Sequence, residues 1–483
     1  MSGALRAAAL LAMATVAASG HAGSRDAMIA PGPERPWTVP DTAGYSAIGR
    51  DRAGEPAIEP GKAYELAELI DIAQRTNPET RMAWERAREA ALGVGIAAST
   101  YAPVLSAKAA AGVQHVSSPL PKALKPEGFF AADTEFFLPS LTLKWLLFDF
   151  GGKEATLDAT RQGLAAANFG FNATHQRIVL DVTRAYYAVN TVQGRVEVAR
   201  ASLALAQTLQ DAAESRRGRG LATLPEVLQA REQSARAAYD LQESLAAATD
   251  ARMALLEAMG VRPTTAVSVA SLAGRALPAA VEDTAEKLVD RALAQRPDLM
   301  ARVATLRARE ADIAKAESEF YPRIVVAGDL GQNIGRVRTE GTPGWSSVNQ
   351  PAYGAAISIE VPIFDGGLRR DRLGVARSER RVAEEELERA RDQAVRQVVK
   401  AYEDLKVALR RREAAVALLT AAEKSHDAAI DSYRSGVATF VDVTNAQTAL
   451  TKARTADIET RSAAFTAAAS LAFSTGDLAA PQP

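Results

Sequence analysis

The chain has 483 residues, of which 47% are hydrophobic, with a net charge of −1, four histidines and no cysteine. Balanced charge offers no basic surface for nucleic acid, and neither a disulfide nor a thiolate metal site can form. Beyond the N-terminal run no stretch approaches the roughly 20 apolar residues of a spanning helix, so any membrane crossing must be by β-barrel.

Residues 1–22 carry Arg6, an apolar run from Ala7 to Ala18 and then Gly20-His21-Ala22, the pattern of a secretory signal peptide. Without a cysteine no N-terminal lipid anchor is expected. Residues 23–61, with Pro31, Pro33, Pro36, Pro40, Pro56 and Pro60, read as an extended Pro-rich segment. Leu66, Leu69, Ile70 and Ala73 then mark one side of a short amphipathic helix. Asn77-Pro78-Glu79 caps a second helix that ends near Tyr101.

Alternation predicts a strand over about 103–114, with Leu105, Ala107, Ala109, Ala111 and Val113 opposite Ser106, Lys108 and Gln114. Residues 115–135 read as a loop. A return strand over about 137–149 sets Leu141, Leu143, Trp145 and Leu147 against Thr142 and Lys144; Trp145, Phe136 and Phe137 are candidate interface anchors. From Gly151-Gly152 to Gly220 no proline interrupts, enough for a helix of roughly 100 Å. Its seam (Ile178, Val182, Ala185, Val189, Val192, Val196, Ala199, Leu203, Ala206) has coiled-coil spacing and many small residues. A turn at 218–224, a return helix from about Pro225 to Met259, Gly260 and a connector over 261–282 complete the unit.

The unit then recurs. Asp71, Pro78, Pro103 and Gly112 match Asp290, Pro297, Pro322 and Gly331 at one offset. Phe148-Asp149, Ala185-Tyr186, Gly220-x-Ala222-Thr223, Leu255 and Gly260 match Phe364-Asp365, Ala401-Tyr402, Gly436-x-Ala438-Thr439, Leu471 and Gly476 at a slightly smaller one. Phe150 reads as one inserted residue. The repeats are placed at 62–260 and 283–476, and 477–483 as a disordered tail. In the second, strands are expected at about 322–333 and 353–364, with Ile324, Val326 and Leu330, then Ile357, Ile359, Val361 and Ile363, on one face. A second seam (Val398, Ala401, Leu405, Ala408, Ala415, Leu419, Ala422) is interrupted by Arg412 before a turn at 434–440.

Four two-faced strands cannot close a barrel, because the smallest outer-membrane barrels need about eight. In lipid an open sheet leaves its edge groups unpartnered, so several chains would have to close one barrel together. The alternative is a soluble sheet with one buried face. No phosphate-cradling glycine loop, metal-ligand cluster or histidine beside a nucleophile motif points to an enzyme, and no cofactor is expected. A periplasmic coiled-coil scaffold or adaptor would explain the signal peptide and the helices, but not the strands.

Asn77-Pro78-Glu79, Phe364-Asp365-Gly366-Gly367 and Ser432-Tyr433-Arg434-Ser435-Gly436-Val437-Ala438-Thr439-x-x-Asp442-Val443, with their first-half echoes, carry a resemblance. Over essentially the whole mature chain the sequence resembles the TolC-like outer-membrane efflux and secretion channels. The resemblance implies an α+β membrane protein, mostly helical and internally duplicated. Long antiparallel coiled-coil helices would form a periplasmic tunnel, and four strands per chain would join a twelve-stranded barrel in a homotrimer. It implies the outer membrane of a Gram-negative bacterium, with Leu141, Leu143, Trp145, Ile357, Ile359 and Val361 facing outer-membrane lipid. The implied role is a passive exit duct. Its tip turns (Gly220, Leu221, Thr223; Gly436, Val437, Thr439) would meet a periplasmic adaptor, a membrane fusion protein, joined to an inner-membrane pump of RND or ABC type. Small-molecule efflux, the commoner role, is the expectation, with type I protein secretion as the alternative; no residue decides between them. The resemblance also places a periplasmic gate at Tyr433, Glu226, Asp442 and Arg434, with three copies of Asp442 as a divalent-cation ring. Ala438 and Asn445 depart from the pattern at the gate, so the closed state would be held less firmly, or by Arg434 or Arg217 instead. Glu226 and Asp442 have a second reading as acids stabilising helix N-termini, and Tyr433 as hairpin packing.

Overall fold

The computed structural model describes residues 58–59, 61–121, 123, 128–272, 274–277, 283–339 and 343–478. The expected signal peptide at 1–22 and most of the Pro-rich segment lie outside them. Strand β1 (Ala63–Tyr64) leads to helices α1 (Leu66–Thr76) and α2 (Pro78–Ser99), then strands β2 (Val104–Pro119) and β3 (Phe129–Phe148). Helices α3 (Gly152–Gly218) and α4 (Leu224–Met259) follow, then β4 (Ser268–Val269). The series recurs as α5 (Ala285–Gln295), α6 (Pro297–Ser318), β5 (Arg323–Thr339), β6 (Ser346–Glu360), α7 (Leu368–Arg434) and α8 (Phe440–Thr475). Corresponding helices have equal lengths, 11, 22, 67 and 36 residues in each half.

Local chemistry sets the helix boundaries. Asn77 Oδ1 accepts from Glu79 N at 2.8 Å, while Asn77 Nδ2 donates to Ala258 O at 2.9 Å, tying the start of α2 to the end of α4. Gly260 closes α4 in the left-handed region, and a Cβ there would sit 2.6 Å from Asn77 Cα. Only glycine fits both the φ and the approach. In the second half Arg296 stands at the cap, buried, with Nε and Nη2 donating to Asp298 and Nη1 to Ser474 O.

The first core lies where the connector folds back. β4 pairs in parallel with β1, and Tyr64, Leu69, Ile178, Val182, Tyr186, Leu255, Leu256, Met259 and Leu272 cluster beneath them. Tyr186 Oη donates to Ala270 O at 2.8 Å, and Asn190 Oδ1 accepts from Leu272 N at 3.2 Å. Of the first seam, Ile178, Val182, Val189, Val196, Ala199 and Ala206 are buried. Arg412 interrupts the second seam for a reason: it ion-pairs with Asp457 of α8 and donates from Nη1 to Asp457 O at 2.9 Å.

The helices form two layers. In the layer next to the strands, α2 packs on α3, α3 on α6 and α6 on α7; further away, α7 packs on α8, α8 on α3 and α3 on α4. Above them β2, β3, β5 and β6 form one antiparallel sheet in that order, and among the described residues no helix packs along either of its faces.

Four expectations need correction. The strands outrun their predicted ends, and 115–119 and 129–135 are strand, not loop. Their alternation continues in polar and charged residues, which apolar periodicity does not register. β6 runs from 346 and stops at Glu360, before Pro362, so Val361 and Ile363 lie past its last rung. Phe150 is not an insertion: its φ of 53° sits beside Gly151 at 95°, as Gly366 at 68° sits beside Gly367 at 96°. The ring of Phe150 stacks on Tyr321 at 5.3 Å and meets Phe148 edge-on at 4.8 Å, contacts that hold a left-handed phenylalanine where the other repeat has glycine. The tail expectation fails at Asp477, whose Oδ2 accepts from Thr475 Oγ1 at 2.9 Å and lies 3.5 Å from Arg291 Nη1. Residues 479–483 lie outside the described residues.

Candidate functional site

Each tip is a five-residue turn with the same backbone plan. The Leu221 N–H donates to Arg216 O at 2.8 Å and the Val437 N–H to Ser432 O at 2.9 Å, around Gly220 (φ 72°) and Gly436 (φ 79°). These are Schellman closures, which satisfy the last carbonyls of α3 and α7. Thr223 and Thr439 then cap α4 and α8 through their hydroxyls. Leu221 and Val437 are exposed at the apices, with Leu224 and Val441 beside them.

Just inside the turns the two hairpins are joined. Tyr433, in the last turn of α7, donates from Oη to Glu226 Oε1, in the first turn of α4, at 2.8 Å. The Tyr433 ring meets Phe440 edge-on at 6.3 Å and lies beneath Arg216, whose guanidinium carbon is 4.8 Å from the ring centre. Ala213, Val227, Ala230 and Phe440 are buried around it. Burial first, and the hydrogen bond to Glu226 second, push the Tyr433 hydroxyl above the ordinary tyrosine range. The chain therefore carries a polar link between its own two hairpins, backed by a cation–π contact.

Asp442 is placed differently. Its Oδ2 accepts from Thr439 Oγ1 at 2.6 Å and Thr439 N at 2.8 Å, and its own N–H donates to Thr439 Oγ1 at 3.3 Å, a reciprocal capping box. The hydroxyl bond first, and the backbone bond second, hold its carboxyl below the usual range. Arg434 lies 3.6 Å from Asp431 in an exposed pair and does not join the link. Among the described residues no group of three or more acids and histidines within one chain is placed to hold a metal. Arg216 and Phe440 were not anticipated as members of this site; the facing of two hairpins at one height, which brings them there, leaves no local mark in sequence.

The sheet is the second site. Its register aligns Leu105 with Leu143, Ala107 with Leu141, Leu141 with Leu330, Leu330 with Tyr353, Trp145 with Val326 and Val326 with Ile357, so these residues share one face. Among the described residues nothing covers that face within the protomer: Leu105, Leu330, Ile357 and Tyr353 are 67, 57, 70 and 80% exposed. Trp145 Nε1 donates to Tyr101 O at 2.9 Å, fixing the indole at the helix end of the strands. Phe137 belongs to the apolar face, but Phe136 belongs to the other, where its ring closes over Gly112, 2.8 Å from the place a Cβ would take. The opposite face carries Ser106, Thr142 and Asp329 in one row and Lys108 with Ser140 in another. Among the described residues β2 and β6, the sheet edges, pair only with β3 and β5, and their outer sides have no strand partner in the protomer.

Comparison with known proteins agrees. The chain is 28% identical over 412 residues to protein CyaE of Bordetella pertussis, covering 84% of this chain and 83% of CyaE. It is 24% identical over 455 residues to the pyoverdine export outer membrane protein OpmQ of Pseudomonas aeruginosa, covering 88% of each. The fold matches the Campylobacter jejuni CmeC outer-membrane channel with a TM-score of 0.73 at 17% identity, covering 85% of each chain. The family model described as outer membrane efflux protein matches residues 69–261 and 288–477, one match on each copy of the internal duplication, and the chain belongs to that family.

Proposed function

We propose that this chain is one third of a trimeric exit duct, passively conducting substrates that an inner-membrane pump delivers through a periplasmic adaptor. As a member of the outer membrane efflux protein family it resides in the outer membrane, and its relatives are channel proteins, not enzymes. The observation that carries the reading is a shared geometry in three layers. Among the described residues the sheet and both helical layers are each four elements wide, and each ends in two open edges, one from either repeat. These edges are β2 and β6 in the sheet, α2 and α7 below it, and α4 and α7 in the layer furthest from it. In the middle layer the α2 edge exposes Met82, Leu92 and Ile96, and the α7 edge exposes Leu368, Val375 and Val382 at heptad spacing. An edge of the first repeat thus fits an edge of the second repeat of a neighbouring copy in every layer. Three copies of a four-stranded sheet give twelve antiparallel strands, enough for a closed barrel.

Closure puts the uncovered Leu105, Leu141, Leu143, Trp145, Leu330, Ile357 and Ile359 face against lipid and removes the edges that lipid would not tolerate. Val361 continues this face at its periplasmic margin. The helices then lie in the periplasm, their tips at the far end, where Leu221, Thr223, Val437 and Thr439 flank the Gly220 and Gly436 turns that meet the adaptor. The Tyr433–Glu226 link holds the tip closed. The capping bonds of Asp442 use only Oδ2, which leaves Oδ1 for a divalent cation shared among three copies at the constriction. The two repeats at 62–260 and 283–476, joined by the 261–282 connector, serve as the domains. Small-molecule export is favoured as the cargo by the name of one relative, pyoverdine export protein OpmQ. A protein cargo, as in type I secretion, and the class of pump, RND or ABC, are separated by which adaptor and pump co-purify with the chain.

The test is conductance of the detergent-purified protein in a planar bilayer, beside Ile357→Arg. The expectation is discrete steps from a trimer. Ile357→Arg is expected to lower the yield of inserted trimer, since arginine on a lipid face costs about 2–4 kcal/mol at mid-depth. A soluble monomer, or a variant that inserts as well as wild type, would overturn the reading.

A further inference from the structure

The apolar face of the sheet ends at the rung Ala111–Phe137–Ile334–Asn349. The next two rungs on that face are Val113–Glu135–Arg336–Ser347 and His115–Asp133–Arg338. Arg336 Nε donates to Glu135 Oε2 at 2.6 Å, Arg338 Nη2 donates to Asp133 Oδ2 at 2.7 Å, and His115 Nδ1 lies 2.7 Å from Asp133 Oδ1. The indole of Trp345 sits under both guanidiniums, 4.9 Å from the Arg336 carbon and 5.1 Å from that of Arg338.

Two features set this ladder apart from an ordinary cross-strand ion pair. Its arginines are neighbours on one face of one strand, about 7 Å apart along it, and their side chains remain 47 and 52% exposed. Each is fixed by an acid on one side and by a shared ring, so little rotamer entropy remains to be lost when the remaining N–H groups bind. The second feature is depth. The ladder lies at the strand ends remote from the helices, because β3 passes into α3 at its other end. If the helices are periplasmic, these rungs stand at the outer leaflet, immediately beyond the apolar band and facing sideways into headgroups.

We propose that Arg336 and Arg338, held over Trp345, form a docking site for the phosphate groups of the phosphorylated glycolipid of the outer leaflet. This rests on the lipid-facing assignment made above. A planar guanidinium is the side chain best matched to phosphate oxygens, and the pair would set the height of the barrel in the membrane.

The test uses the full-length trimer in detergent and three probes: bis-phosphorylated lipid A, the same lipid dephosphorylated, and inorganic phosphate. Native mass spectrometry reads retained lipid, and the melting of the trimer reads its effect. Wild type is expected to retain and be stabilised by the phosphorylated lipid alone. Arg336→Gln/Arg338→Gln is expected to lower retention roughly thirtyfold, as for two basic groups lost from an anionic lipid surface. Asp133→Asn/Glu135→Gln breaks the same ion pairs but leaves the arginines, and is expected to keep retention. Equal loss in both double variants would assign the ladder to strand pairing alone and overturn the proposal. So would equal retention by wild type and the arginine variant, or competition by inorganic phosphate, which would mark a free-anion site. Failure of the lipid-facing assignment itself would appear separately, as normal insertion of Ile357→Arg.

Discussion

Among the differences between the two tips, one of a single methylene, Glu226 against Asp442, decides what an acid does there. Glu226 and Asp442 each stand three residues after a capping threonine, Thr223 and Thr439. The shorter Asp442 turns back and closes a capping box on its own helix. At the first tip the Glu226 N–H reaches Thr223 Oγ1 at 3.4 Å, while the longer Glu226 carboxylate extends outward and accepts the Tyr433 hydroxyl of the other hairpin. An acid at a helix start is thus not one kind of residue. At the second tip it stabilises its own hairpin, and at the first it couples two.

The sharpest way to break this comparison is at Tyr433. Tyr433→Ala removes the hydrogen bond to Glu226, the contact with Phe440 and the ring beneath Arg216 together. For a partly buried aromatic this is worth about 2 kcal/mol, a roughly thirtyfold shift from closed toward open. The measurement is resting conductance in a planar bilayer, expected to rise. Conductance equal to wild type would return Tyr433 to plain hairpin packing.

Much of this molecule was legible from its sequence, and the parts that were not share a cause. The duplication, both long helices, the tip turns and the apolar strand faces follow from local periodicity and from glycine and proline, which act through φ and the missing N–H of their own residues. Tyr433 and Glu226 were legible as members of one network through resemblance, but not as direct partners. Their meeting depends on two hairpins lying at equal height. The charged ladder was missed because Asp133, Glu135, Arg336 and Arg338 break the apolar alternation that marks a strand, and their pairing exists only across strands. Phe150 misled because a phenylalanine stood at a left-handed position held by glycine in the other repeat.

A narrower change tests reach alone. Glu226→Asp keeps the charge and the helix-dipole term but shortens the side chain, so it is expected to cap Thr223 as Asp442 caps Thr439 and to release Tyr433. The loss should match that of Tyr433→Phe, about 1 kcal/mol or a roughly fivefold shift toward open, and the double variant should show no further rise. Additive effects would mean that the two groups act separately. The same bond carries a pH signature. The Tyr433 pKa is raised in the folded chain, so its contribution is fully present below the unfolded value of about 10 and is lost as the pH rises through the folded value. Resting conductance should therefore climb in alkali for wild type and not for Tyr433→Phe.

Asp442→Ala gives the smallest change in resting conductance, because its side chain takes no part in the hairpin-to-hairpin link. What it removes is one half of a cap. Thr439→Ala, which deletes the hydroxyl that caps α8, costs about 1 kcal/mol of hairpin stability, and Asp442→Ala should cost less. The Asp442 pKa is lowered by folding, so its share of the cap is present above the unfolded value of about 3.9 and disappears as the pH falls through the folded value. Hydrogen exchange of the first α8 amides should show this loss in acid for wild type but not for the variant. Millimolar divalent cation separates the cap from the ring. If three carboxylates share a cation through Oδ1, block should weaken in Asp442→Ala while the open-state conductance stays unchanged. If block persists, Asp442 belongs wholly to its helix, and the two tips differ in kind: one couples hairpins, and the other only ends one.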